Sequence, residues 1–328
     1  MSFVPRRLLV CALAAAALRC GALPAQAPAP PLAEPLPEIV IEGRHEGPRM
    51  WTVRKGDHTL WILGTISPLP KKMVWQPDAV RETLRHTQEV VPAWPSYGIG
   101  ANPLTALRVY IEWRRLQKDP EDRPLRDTLP PPLYARVEAL KARYDPKDSK
   151  LEQMRPMLAA RQLTTRVLEA AGLAQHNEVQ QKVLELARAQ GVHIHQDKLK
   201  IEDPVDLLRD VEHTPLDREI ACLDSVVTLL ESDIAPMQQR AQAWALGDVD
   251  TLRRLPWAAD RTTCLTAVAS SERVRALIAR AQDDWLIAVE DSLNRNSGTL
   301  AVQSMDRLLG EHGVLAALRA RGYSVEGP

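Results

Sequence analysis

Met50-Trp51-Thr52-Val53-Arg54 and Thr59-Leu60-Trp61-Ile62-Leu63-Gly64-Thr65 stand on either side of Lys55-Gly56-Asp57-His58. Two short runs rich in Trp, Val, Ile and Leu around a turn containing glycine read as a β-hairpin, the clearest strand signal in the chain. Working outward toward the C-terminus, Asp78 to His86 reads as a short helix. Glu89-Val90-Val91 reads as a strand that Pro92 must stop, because proline cannot donate to a ladder. An amphipathic helix, Leu104 to Gln117, lies in a stretch punctuated by Pro and Gly. Longer helical patterns follow: Pro132 to Arg143, Leu151 to Ala171, and Glu178 to Gln190 with Gly191 as its cap. Val192 to His195 is a strand and Pro204 to Val211 a helix, while Leu216 to Leu246 is one or two helices with a restart or kink at Pro236. Gly247-Asp248 ends that unit. Val274 to Leu293 is helical, Thr299 to Ser304 a buried strand, Gly313 to Ala320 a helix and Tyr323 to Val325 a last short strand. Strands at both ends bracket a helical middle, which predicts a mixed α/β (α+β), helix-rich fold with a central mixed sheet.

Toward the N-terminus, residues 1–27 have the three parts of a secretory signal: Arg6 and Arg7, the apolar run Leu8 to Leu18, and small residues ending Ala25-Gln26-Ala27. The apolar run has 11 residues, short of the roughly 20 that a spanning helix needs, and no later stretch approaches that length. Residues 28–48 carry six prolines and read as an extended linker, leaving 49–328 as the folded domain. Cys11 and Cys20 fall within the leader, so Cys222 and Cys264 remain as a candidate disulfide in an exported chain, periplasmic or secreted. The 328 residues carry 42 Lys and Arg against 42 Asp and Glu. Subtracting Arg6, Arg7 and Arg19 of the leader, which holds no acid, leaves 39 basic residues against 42 acidic ones. That balance removes the electrostatic reason to expect a nucleic-acid or polybasic membrane binder, which needs a concentrated positive surface.

Four stretches carry a resemblance: Leu60-Trp61-Ile62-Leu63-Gly64-Thr65-Ile66; Ala243-Trp244-Ala245-Leu246-Gly247-Asp248; Trp285 and the helix after it; and Leu309-Gly310-Glu311-His312-Gly313-Val314-Leu315 with the closing Arg321-Gly322-Tyr323-Ser324-Val325. In their order and spacing they resemble the TraB/GumN family, related to the Tiki metalloproteases and more remotely to erythromycin-esterase and ChaN-like proteins. The resemblance implies an erythromycin-esterase/ChaN-like fold and metal-assisted hydrolysis. It further implies two Gly-x-x-His motifs, one after the first hairpin and one after the penultimate strand, and a glutamate at the end of an intervening strand. This chain departs at all three places. The first motif reads Gly64-Thr65-Ile66-Ser67, the second Gln303-Ser304-Met305-Asp306, and the glutamate position falls at Pro92. Neutral serine is a poor ligand for Zn or Mn and proline offers none, so only Asp306 remains as a good donor.

The chain therefore reads as a degenerate member with no cofactor, a binding or scaffold protein whose partner is an envelope protein, a peptide or a polysaccharide. The alternative is a hydrolase of peptide or ester bonds, metal-dependent or serine-based, with a rearranged site around Ser67 and Asp306. Two other clusters stand out. His193, His195 and Asp197 alternate along a strand and share a face as metal ligands do, although exposed polar residues at a strand end are the plainer reading. Trp75, Trp94 and Trp113 would form an apolar binding patch if exposed.

Overall fold

The computed structural model describes residues 47–328 apart from 72, 94–95, 100–101, 120, 175–177, 197, 256–263, 265–266 and 310–312, and without the side chains of 96–99, 198–200 and 282. The expected leader, nearly all of the Pro-rich linker, Trp94, Asp197 and Gly310 lie outside the described residues.

The hairpin is β1 (Met50–Lys55) and β2 (His58–Thr65), closed by Gly56-Asp57 with Gly56 at φ 55°. After it come β3 (Leu69–Pro70), α1 (Asp78–Arg85), β4 (Glu89–Val91), β5 (Ser96–Ile99), α2 (Pro103–Leu116), α3 (Leu125–Thr128), α4 (Pro131–Tyr144), α5 (Pro156–Ala170), β6 (Leu173–Ala174), α6 (Glu178–Ala189), β7 (His193–Ile194) and β8 (Lys198–Ile201). The remainder is α7 (Pro204–Glu212), α8 (Leu216–Ser232), α9 (Ile234–Leu246), α10 (Val249–Arg254), α11 (Glu272–Arg295), β9 (Gly298–Ser304), α12 (Met305–Leu309), α13 (Val314–Ala320) and β10 (Ser324–Glu326). The helix-rich mixed α/β fold expected from the sequence is the one found.

Six strands form the central sheet in the order β10-β1-β2-β9-β4-β7. The hairpin and β10 are antiparallel, whereas β2, β9, β4 and β7 run parallel. β9 therefore enters between β2 and β4, pairing Leu60 with Thr299, Gly64 with Gln303 and Glu89 with Thr299. Its burial along the whole of Gly298–Gln303 is what a central parallel strand, covered on both faces, requires. Gly298 is needed for this insertion. A Cβ there would lie 1.9 Å from the His86 carbonyl oxygen, and the Gln88 side chain accepts from the Gly298 N–H at 2.7 Å.

Two principal cores form. One joins the sheet to α1, α6, α9, α11 and the C-terminal helices through Trp51, Leu60, Ile62, Val90, Trp244, Trp285, Leu300 and their neighbours. The other is all-helical, built from α3, α4, α5 and α8 around Leu133, Val137, Leu163, Leu223 and Val227. Between α5 and α8 the buried Arg155 and Glu219 form an ion pair; burial pushes the Glu219 carboxyl up despite that partner. Several predicted bounds move for local reasons. The pattern from Leu151 to Ala171 divides into a single 3-10 turn, Leu151–Gln153, and α5, because Pro156 occupies the first helical turn. The Leu216–Leu246 pattern breaks at Asp233, and Pro236 lies in the first turn of α9.

Candidate functional site

The order β2-β9-β4 sets three parallel strand ends side by side, and the crevice outside such carboxyl ends is where α/β sheets usually build sites. All the positions singled out by the family resemblance within the described residues gather near this edge of the sheet. Ser67 follows β2 by two residues and is half-buried; Pro92 follows β4 directly, half-buried as well. Beyond it the Ala93 N–H donates to Gln180 Oε1 of α6 at 2.9 Å. Gln303, fully buried near the end of β9, accepts from the Ser304 N–H at 2.9 Å through Oε1, while its Nε2 has no hydrogen-bond partner among the described residues. Asp306 lies in the first turn of α12 and is exposed.

The floor between β2 and β9 is apolar. Gly64 carries no side chain because Met305 occupies the space: a Cβ there would meet Met305 Cε at 2.7 Å and Sδ at 2.8 Å. Trp244 Nε1 donates to the Gly64 carbonyl at 2.7 Å, and Trp75 packs edge-on against Trp244 with centroids 5.7 Å apart. The metal that the family resemblance implies does not fit this donor set. Ser67 offers a neutral hydroxyl and Pro92 nothing, while Gln303 is held in the core and Asp306 is one exposed carboxylate. Among the described residues no group of three or more His, Cys, Asp or Glu is placed to hold an ion.

A polar centre that the sequence did not reveal lies at the opposite, N-terminal ends of the parallel strands. Glu89, 4% exposed in β4, receives His195 Nδ1 at 2.9 Å, Arg295 Nη2 at 3.1 Å and Asn296 Nδ2 at 2.7 Å, with His193 Nε2 at 4.0 Å. Burial alone would raise the Glu89 carboxyl. Hydrogen bonds from His195, Asn296 and Arg295 outweigh it and hold the group at about 2. An ionised carboxylate only accepts, so His195 carries its proton on Nδ1. The alternating histidines thus serve this carboxylate: His195 faces Glu89 and His193 is exposed, while Asp197 lies outside the described residues. A charge opening a Val-Val strand was the one signal in the sequence, since a buried carboxylate requires partners.

The remaining candidates separate. Cys222 of α8 and Cys264 stand at disulfide distance, with S–S 1.94 Å. Trp75 and Trp113 do not form an exposed patch: Trp75 packs against the sheet core and Trp113 is half-buried, with the Arg161 guanidinium 6.0 Å from its ring. No described helix is long and apolar enough to cross a membrane. A family model described as the TraB/PrgY/gumN family matches residues 49–327. No curated protein and no solved structure matches the chain.

Proposed function

The chain belongs to the TraB/PrgY/gumN family, and from that premise we propose that it is an exported member that has lost catalysis and acts as a binding or scaffold protein of the cell envelope. One observation carries the reading. At the three strand ends where the family resemblance calls for two imidazoles and a glutamate, the chain presents Ser67, Asp306 and Pro92. One good donor cannot hold a catalytic divalent ion or lower the pKa of a bound water. The floor beneath those ends supports the same reading, because Met305 and Trp244 fill the space beside Gly64 with apolar atoms. Export rests on the leader pattern of residues 1–27 and is consistent with the paired Cys222 and Cys264. The partner would be an envelope protein, a peptide or a polysaccharide.

Metal analysis of the purified chain together with a panel of peptide and ester substrates tests the proposal. The expected result is substoichiometric Zn, Mn and Co and no turnover sensitive to EDTA. Stoichiometric metal, or turnover abolished by Ser67→Ala or Asp306→Ala, would replace it with a hydrolase built around those two residues.

A further inference from the structure

Six large apolar side chains stand exposed among the described residues, and four of them lie on α2: Leu104 at 70%, Leu107 at 55%, Tyr110 at 57% and Ile111 at 47%. Leu104, Leu107 and Ile111 follow the i, i+3, i+7 rule, with Tyr110 on their flank, so they form one stripe about 10 Å long on a single helix face. This amphipathicity is inverted. The face turned inward carries an acid, Glu112, which is 7% exposed and accepts from Arg209 Nη2 of α7 at 3.2 Å and from Arg115 Nη1 at 3.2 Å. Trp113 and Leu116 fill the rest of that side. The helix is fixed by Asn102, whose side chain accepts from the Thr105 N–H at 2.8 Å, and by Pro103 in its first turn. The leucines are therefore held outward by a well-capped, ion-paired helix. A contiguous exposed apolar stripe of this type marks a binding surface.

Charge identifies what it binds. Arg108, Arg114, Arg115 and Lys118 are all exposed, whereas Glu112 and Asp119, the only acids between 102 and 119, are buried. Arg108, Arg114 and Lys118 form no ion pair with a described residue. The outward face is thus apolar and purely cationic, which calls for an anionic partner. A second copy is disfavoured, because a two-fold contact sets like charges against each other. Arg108, Arg114 and Lys118 are thus not pre-positioned by an ion pair with any described neighbour. Recognition of fixed charges on a protein gains most from preorganised groups, whereas a fluid array of anionic headgroups makes no such demand. Arginine and lysine stems lie along apolar surface while their charges reach water.

We propose that α2 is an interfacial helix. It places Leu104, Leu107, Tyr110 and Ile111 in the headgroup region of an anionic lipid surface, with Arg108, Arg114 and Lys118 against the headgroup phosphates. The proposal is independent of whether the strand-end site is catalytic.

Co-sedimentation of the purified chain with vesicles tests it. Wild type is expected to bind vesicles containing phosphatidylglycerol, to leave purely zwitterionic phosphatidylcholine vesicles, and to release in high salt. L107E/I111E should abolish binding with an unchanged circular dichroism spectrum and melting curve, since both positions are on the surface. R108Q/R114Q should weaken it about fivefold for each cation removed, ~25-fold for the pair. Failure of wild type to bind either vesicle, or equal binding by wild type and both variants, overturns the proposal. A wild-type dimer that L107E/I111E converts to monomer without vesicle binding would overturn it too, and would assign the stripe to self-association.

Discussion

Replacing Glu89 by glutamine tests whether the buried carboxylate is a stabilising centre of the sheet. Its partners come from β4's neighbours on two sides: His195 just after β7, and Arg295 and Asn296 at the end of α11. Holding the carboxyl at about 2, against an ordinary value of 4.5, corresponds to about 3 kcal/mol of stability at neutral pH. That figure is an upper bound, because Arg295 and His193 reach solvent and their attraction is screened. The sign follows from linkage. A carboxyl depressed in the folded state contributes its full stability above pH 4.5, the unfolded value, and loses it as the pH falls toward 2. The glutamine of E89Q keeps the shape and one acceptor but cannot titrate. Urea unfolding of wild type and E89Q should therefore differ by about 2 to 3 kcal/mol near pH 7, and the gap should shrink as both are acidified below about pH 4. Asp119 and Asp148 are also held low by their hydrogen bonds, against the upward push of burial, so only the difference between the two proteins isolates Glu89. A gap smaller than about 0.5 kcal/mol at neutral pH, or one that does not narrow on acidification, would refute the reasoning.

Two further outcomes follow from single contacts. Gly298→Ala would set a methyl 1.9 Å from the backbone carbonyl of His86, where no side chain can yield, so β9 could not enter between β2 and β4. Soluble expression should collapse, and any folded fraction should melt with a loss above about 3 kcal/mol. Removing the Cys222–Cys264 link, which spans 42 residues, by a Cys222→Ala/Cys264→Ala pair should cost about 4 kcal/mol by the loop-entropy relation. A denaturant midpoint unchanged between the variant and the wild type would show that the two thiols are not bridged.

The hairpin was legible because its signals are local: alternating apolar residues and a glycine that reaches φ 55° at the turn. β9 was legible as a buried strand from its apolar run, but its place was not. Nothing near residue 300 announces that Leu300 will lie beside Trp61 and Val90, because parallel pairing is satisfied by partners more than 200 residues away. The strand-end site shows the same limit in reverse. Ser67, Pro92 and Asp306 could be aligned by motif, yet that Met305 would press against Gly64 depends on how α12 folds back after β9. Glu89 was not legible as a polar centre because a carboxylate among valines gains meaning only from His195 and Arg295, 106 and 206 positions further on.

The helix α2 shows that limit most sharply. Its sequence declares an amphipathic pattern but not which face turns inward, and hydrophobicity alone would bury Leu104, Leu107 and Ile111. The opposite face wins because Glu112 meets Arg209, 97 residues away, and Trp113 and Leu116 supply enough apolar surface to seat the helix. An acid inside and leucines outside is a local conflict of the kind that sequences consistent with one fold avoid except where function demands it. The strand ends, where the family resemblance places the chemistry, retain few donors. The conflict that the fold maintains, with a capped helix and a buried ion pair to hold it, lies on α2, and it is there that this chain has most to gain from a partner.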